Sequence, residues 1–167
     1  MLPVQAQHLE SIKRILRDNA GKLISIELAN EEQDTKEATD LIVRADVGTI
    51  AVRIRTYRST LIRGECVRDF TVRSRTRYNG RTEIDKLRDG FAKWYLYAWE
   101  SEDGRSLAEY VLVDMDMVRD AGLLDRAWQE ISNGDGTAFI PIPLWALKHA
   151  GCLVAIQVEQ DIPLVFC

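Results

Sequence analysis

The sequence predicts an α/β protein built on a single mixed β-sheet flanked by helices. Three observations carry that expectation. Thr49–Tyr57 and Asp69–Arg75 alternate polar and apolar residues with period two, as half-buried strands do. Glu83–Trp99 places Ile84, Leu87, Phe91, Trp94, Tyr95 and Ala98 at helical spacing. Tyr110-Val111-Leu112-Val113 is a continuous apolar run, the mark of a strand covered on both faces. At 167 residues the chain fits one domain, residues 1–167, with a core of its own.

Taken in order, Gln5–Asn19 reads as a helix. Leu9, Ile12, Ile15 and Leu16 share a face, and Glu10 precedes Lys13 and Arg14 by three and four residues. Gly21 can stop it with a left-handed cap. His8 reads as a packing or solvent-facing residue. Lys22–Leu28 is the first strand, and the acidic run Asn30–Glu37 a connection. Thr39–Ala45 and Thr49–Tyr57 flank the turn residues Asp46-Val47-Gly48, so an antiparallel hairpin is expected. Within it Ile50, Val52 and Ile54 face one way, Ala51, Arg53 and Arg55 the other. Ser59–Cys66 reads as a loop, and Asn79-Gly80 as a turn.

Thr82 and Asp85 form a variant of the capping box that opens the long helix. Trp94, Tyr95, Tyr97 and Trp99 raise the alternative of a base-stacking platform. Trp94 and Tyr95 fit the buried stripe better, whereas Tyr97 and Trp99 read as more open. Ala108–Asp114 is a strand. Met117–Ala121 is a short helix with Asp116 as its cap, and Leu123–Ile131 another helix. Thr137–Ile142, Leu144–Ala150 and Leu153–Val158 follow as strand, helix and strand.

Charge is distributed unevenly. Nine arginines lie between Arg53 and Arg81, opposed only by Glu65 and Asp69, a surplus of seven. The formal charge is −4, so the remainder carries −11. Such a segment can be a polyanion-facing surface on an acidic body. The plainer alternative is that these arginines pair with acids elsewhere in the fold. Arg53, Arg55, Arg73, Arg75 and Arg77 are the candidates for phosphate contact.

The three cysteines, Cys66, Cys152 and Cys167, suggest neither a disulfide framework nor a metal-ligand spacing. Met1–Ala6 lacks the pattern of a signal peptide, and no apolar run reaches transmembrane length. A cytoplasmic protein without a membrane partner is the expectation.

The order of elements over Gln5–Asp114 resembles the PD-(D/E)XK, or restriction-endonuclease-like, superfamily. The resemblance implies an αβββαβ core, here with a C-terminal βαβ extension. It implies an acid on one strand, an acid-x-lysine on the next, and often an acid from the first helix. Asp40, in Thr39-Asp40, resembles the first acid and Glu10 the helix acid. The acid-x-lysine falls on Arg53-Ile54-Arg55 or on Thr71-Val72-Arg73. In both registers the acid is missing and arginine replaces lysine. Asp69 can stand in for the missing acid at a different spacing.

Asp40, Glu10 and Asp69 are thus the candidate catalytic residues, with Asp40 and Asp69 the candidate ligands for Mg²⁺ or Mn²⁺ if the site is active. Asp40 reads equally as a strand-start residue bonding locally, whereas Glu10 reads more readily as an ordinary helix-surface acid. The chain is also similar to small phage and bacterial proteins in which this fold is often inactive. Three functions follow. The first is binding of DNA or RNA through an arginine-bearing sheet face. The others are metal-dependent nuclease activity, and a protein-interaction module acting on a nucleic-acid-processing system.

Overall fold

The computed structural model describes residues 7–28, 41–56, 61–62, 65–66, 69–78 and 80–158. The first helix, α1 (Leu9–Ala20), is followed by β1 (Leu23–Leu28), β2 (Leu41–Ala45) and β3 (Gly48–Arg55). Two short strands, β4 (Leu61–Ile62) and β5 (Glu65–Cys66), pair antiparallel where a loop was expected. Next come β6 (Asp69–Arg75), α2 (Glu83–Arg88), β7 (Trp94–Glu100) and β8 (Leu107–Asp114). The chain continues through α3 (Met115–Asp120), β9 (Ile131–Ser132), β10 (Ala138–Pro143), α4 (Leu144–His149) and β11 (Leu153–Gln157).

The architecture is mixed α/β, but the strands do not form one sheet. Six of them make a mixed sheet in the order β1-β2-β3-β7-β8-β11. A smaller sheet has the order β6-β10-β9. In the large sheet β3 and β7 run parallel, with Arg53 beside Tyr97 and Arg55 beside Trp99. Its other neighbouring strands are antiparallel.

Period two sorts the large sheet into two faces. Ile50, Val52 and Ile54 of β3 and Leu96 of β7 pack with Ile12, Ile15 and Leu16 of α1. Ala51, Tyr95, Tyr97 and Trp99 face the other way, toward Phe70 and Val72 of β6 and Ile84 and Leu87 of α2. The large sheet is therefore sandwiched between α1 and a layer containing the small sheet.

The largest departure from the sequence expectation is in Glu83–Trp99. Its helix stops at Arg88, and Trp94–Glu100 is a central strand. Gly90, at φ 91°, breaks the helical path with a conformation that suits glycine. Tyr95 through Glu100 are then buried in succession, a pattern a one-sided helix cannot satisfy. The helical spacing was coincidental, because a strand buried on both faces has no polar side to reveal its period.

The other differences have local causes. Leu123–Ile131 contains no helix: Gly122 sits at φ 65°, and Leu123 and Leu124 enter the core from a turn. Trp128 fixes that turn by donating from Nε1 to the Leu123 carbonyl at 2.7 Å. Gly21 has positive φ, as expected of a helix stop, but its ψ of −146° is extended rather than left-handed helical. A Cβ there would lie 3.0 Å from Asp46 Oδ2, which accepts from the Lys22 amide. The Thr82–Asp85 capping box forms as expected.

Asp114, not Asp116, caps α3. Its carboxylate accepts from the amides of Asp116 and Met117 at 3.0 and 3.1 Å. Asp116 instead bridges Lys93 and Arg119. Asp114→Ala is expected to cost about 1 kcal/mol, lowering the melting temperature by roughly 2–4 °C. Asp116→Ala is expected to cost less, since it removes only surface ion pairs; thermal melts of the two variants compare them.

No helix among the described residues is long and apolar enough to cross a membrane. Among those residues Cys152 is a free, buried thiol.

Candidate functional site

The arginine-bearing face of β3 meets β6 at a small cleft. Alternation turns Ile50, Val52 and Ile54 onto α1, which sends Arg53 and Arg55 to the opposite side. On β6, Phe70 and Val72 enter the core and Thr71 and Arg73 alternate with them. Arg53, Arg55, Thr71 and Arg73 line a cleft of ≈ 80 Å³. Asn133, Ala138 and Phe139, from the small-sheet region, complete its wall.

A buried carboxylate anchors this arrangement. Glu83, the first residue of α2, is 1% exposed. Its Oε2 accepts from the backbone amide of Arg73 at 2.7 Å, and Oε1 accepts from the Tyr95 hydroxyl at 2.7 Å. Arg53 Nη1 reaches Glu83 Oε2 at 3.5 Å and the Thr71 carbonyl at 3.4 Å. The Arg53 side chain is itself only 12% exposed. Burial raises the Glu83 carboxyl above its ordinary pKa, and the Arg53 guanidinium opposes the rise. Burial, with help from Glu83, pushes the Tyr95 phenol well above its usual range.

Thr71 and Tyr97 share a hydroxyl–hydroxyl bond at 2.6 Å, which ties β6 to β7. Beneath it, Phe70 stands edge-on to Tyr95 and Tyr97, with ring centroids 5.1 and 5.4 Å away. Tyr97 and Trp99 are each 1% exposed, so these two rings are core and offer no open stacking platform.

The remaining arginines divide. Arg75 pairs with Glu130, whose carboxyl is held below its ordinary range by Ser74 and Arg75. Arg77 pairs with Asp135 at 3.2 Å and donates to its backbone carbonyl at 2.9 Å. Asp135 is held at a pKa of about 2, chiefly by hydrogen bonds from Thr137 and then by Arg77. Arg81 pairs with Asp89. These exposed pairs answer to the plainer expectation for the arginine-rich segment. Arg58, Arg63 and Arg68 lie outside the described residues.

The two described candidate acids, Glu10 and Asp69, do not meet. Glu10 is on α1, across the large sheet from the cleft, and it pairs with Lys13 at 2.8 Å. That lysine lowers its pKa. Asp69 begins β6, roughly 13 Å along the strand from Arg73. Burial raises the Asp69 pKa. Asp40 lies outside the described residues. Among the described residues, no three histidine, cysteine, aspartate or glutamate side chains gather as a metal site.

A larger cavity of ≈ 440 Å³ lies between α1 and β1. Its walls are mainly aliphatic, including Leu9, Leu23, Ile26 and Leu41, with Lys13 and Arg17 beside them. Among the described residues, none of the candidate site residues lines it. The smaller cleft carries more directed chemistry, since three arginines and an asparagine are among the residues that line it.

Sequence reasoning missed Glu83, Asn133 and Phe139 as parts of the site. Glu83 had a readable signal: it lies four residues before Leu87, so a helix places its carboxylate on the apolar face. Asn133 and Phe139 had none, because only the pairing of β10 with β6 brings them there. No protein-family model, no curated protein and no solved structure matches this chain.

Proposed function

We propose that this chain binds DNA or RNA by contacting phosphate in the arginine cleft, on a restriction-endonuclease-like core with a degraded metal site. The carrying observation is the convergence of Arg53 and Arg55 with Arg73, about twenty residues away in sequence, on one cleft. Both segments that resemble a degenerate acid-x-lysine sequence, Arg53-Ile54-Arg55 and Thr71-Val72-Arg73, contribute to it. Arginine stays charged at accessible pH, and its planar fork can donate paired hydrogen bonds to phosphate oxygens. With β4, β5 and β6 taken as an insertion between β3 and α2, the order of α1, β1, β2, β3, α2 and β7 follows the αβββαβ scheme. The separation of Glu10 and Asp69 from each other favours binding over metal-assisted cleavage among the described residues.

The test is a salt titration with labelled single- and double-stranded DNA and RNA, metal chelated throughout. Three phosphate contacts give a log–log slope of roughly −2 to −3. Arg73→Ala is expected to weaken binding and make that slope shallower by about 0.7–0.9. This variant leaves the Glu83 bond in place, because Arg73 donates it from the backbone. Absence of binding even at low salt would reject the proposal and turn the search toward a protein partner.

A further inference from the structure

We infer that the groove between α1 and β1 is a second binding surface, independent of the arginine cleft, which takes an extended acidic peptide of a protein partner as an added strand. β1 ends the six-stranded sheet, and among the described residues no strand pairs with its other side. An edge strand presents unpaired amides and carbonyls, which natural proteins commonly blunt with lysine, proline or a bulge. The register of β1 is irregular between Leu23 and Ser25, but residues 25–28 pair regularly with β2. Neither lysine nor proline occurs in Leu23–Leu28. Ile24 and Leu28 are 67% and 61% exposed, so the open edge is also apolar.

The groove supplies what an added strand uses beyond main-chain bonds. Every second side chain of such a strand faces the same side of the sheet. On the α1 side these side chains meet the aliphatic wall of the ≈ 440 Å³ cavity, which includes Leu23 and Ile26 as well as Ile24 and Leu28. Lys13 and Arg17, one turn apart on α1, are the charged residues that line it, and both are positive. Glu10 pairs with Lys13, but it does not line the groove and its side chain is 82% exposed, so that pair is weak. Among the described residues Arg17 has no hydrogen bond or ion pair; its field acts on Glu10. A carboxylate on the added strand therefore meets a cation that no ion pair already holds. A second copy of this chain fits less well. Antiparallel pairing of two β1 strands in one continuous sheet sets both α1 helices on the same face, with Lys13 and Arg17 of each flanking the seam, and like charges repel there.

The experiment presents the full chain to a phage-displayed library of random peptides and then measures the enriched peptides by fluorescence anisotropy. Enriched sequences are expected to place apolar residues at alternate positions and to carry aspartate or glutamate. Arg17→Glu and, separately, Leu28→Asp should each weaken binding by about tenfold or more, since each sets a negative charge against the acidic peptide. Arg17→Lys keeps the charge and should stay within about threefold of wild type. N-methylation along the bound peptide should abolish binding at every second residue and spare those between, because an added strand turns alternate amides toward β1. Both positions are exposed, and thermal melts confirm that the variants fold. No enrichment over an unrelated protein, enriched sequences without acids, methylation effects without a period of two, or affinities unchanged in the folded variants would each overturn the inference. Sedimentation of the free protein adds a further check: a dimer that Leu28→Asp dissociates would put a second copy in the groove, and overturns it as well.

Discussion

Glu83→Ala is expected to destabilise the protein by about 3–5 kcal/mol, the cost of removing one partner from a buried ion pair. For a chain of this size that corresponds to a fall in melting temperature of roughly 6–20 °C. The reason is the number of groups that depend on one carboxylate. The Tyr95 hydroxyl, the Arg73 amide and the Arg53 guanidinium all direct donors at it. Alanine leaves them in a site where water has little access. Glu83→Gln preserves the shape and an acceptor, and should cost less, about 1–3 kcal/mol. The two variants also differ from wild type in their pH response. The folded-state pKa of Glu83 is raised, so the folded protein holds this proton more tightly than the unfolded chain. Its favourable contribution is fully present below the ordinary value of 4.5 and is lost as pH rises through the folded pKa. Wild type should therefore lose stability relative to Glu83→Gln from about pH 4.5 upward. Urea melts of both proteins at pH 4.5, 6 and 8 measure this. A difference that is constant, or that moves toward wild type with rising pH, would refute the assignment.

His8→Ala is expected to cost about 1–3 kcal/mol, for the loss of a buried hydrogen bond on the other side of the molecule. His8 is 1% exposed, and its Nε2 lies 2.7 Å from Oε1 of Glu100, itself 6% exposed. The pair ties the start of α1 to the end of β7. Removing the imidazole leaves a buried carboxylate without that partner and opens a space beside it. Replacing both residues, as His8→Phe with Glu100→Leu, should recover much of the loss, because no unsatisfied polar group remains. Denaturant melts of the two single variants and the double variant form a thermodynamic cycle. Additive losses would show that the two side chains do not act as a unit.

Legibility of the sequence depended on whether an element had one buried face or two. The first helix, β3 and β6 each have a dry side and a wetter side, and their periods predicted them; β2 was placed by the turn residues Asp46-Val47-Gly48 that join it to β3. Aliphatic residues of β3 were separated correctly from Arg53 and Arg55 for the same reason. Trp94–Glu100 has no wet side, and its aromatics were absorbed into a false helix. The continuous run in β8 was read correctly as a doubly covered strand; the same physical criterion applies to Tyr95–Trp99. At the site, Arg53, Arg55 and Arg73 were recognisable as charges on strands. Their convergence was not, because it depends on how a second sheet packs against the first. Glu83 was read only as the first residue of the long helix, although its place four residues before Leu87 puts it on the apolar face.

The parallel pairing of β3 with β7 has a consequence for the order in which the chain matures. Antiparallel neighbours can form as soon as a short turn is complete, but this pairing waits for everything between Arg55 and Trp94. The cleft waits longer still, because its last wall residue is Phe139. A nascent chain emerging from the ribosome can assemble α1 with β1–β3 well before Arg53, Arg55 and Arg73 share a wall with Asn133 and Phe139. On the proposed function, ligand recognition would thus be withheld during synthesis and acquired only once β10 has paired with β6.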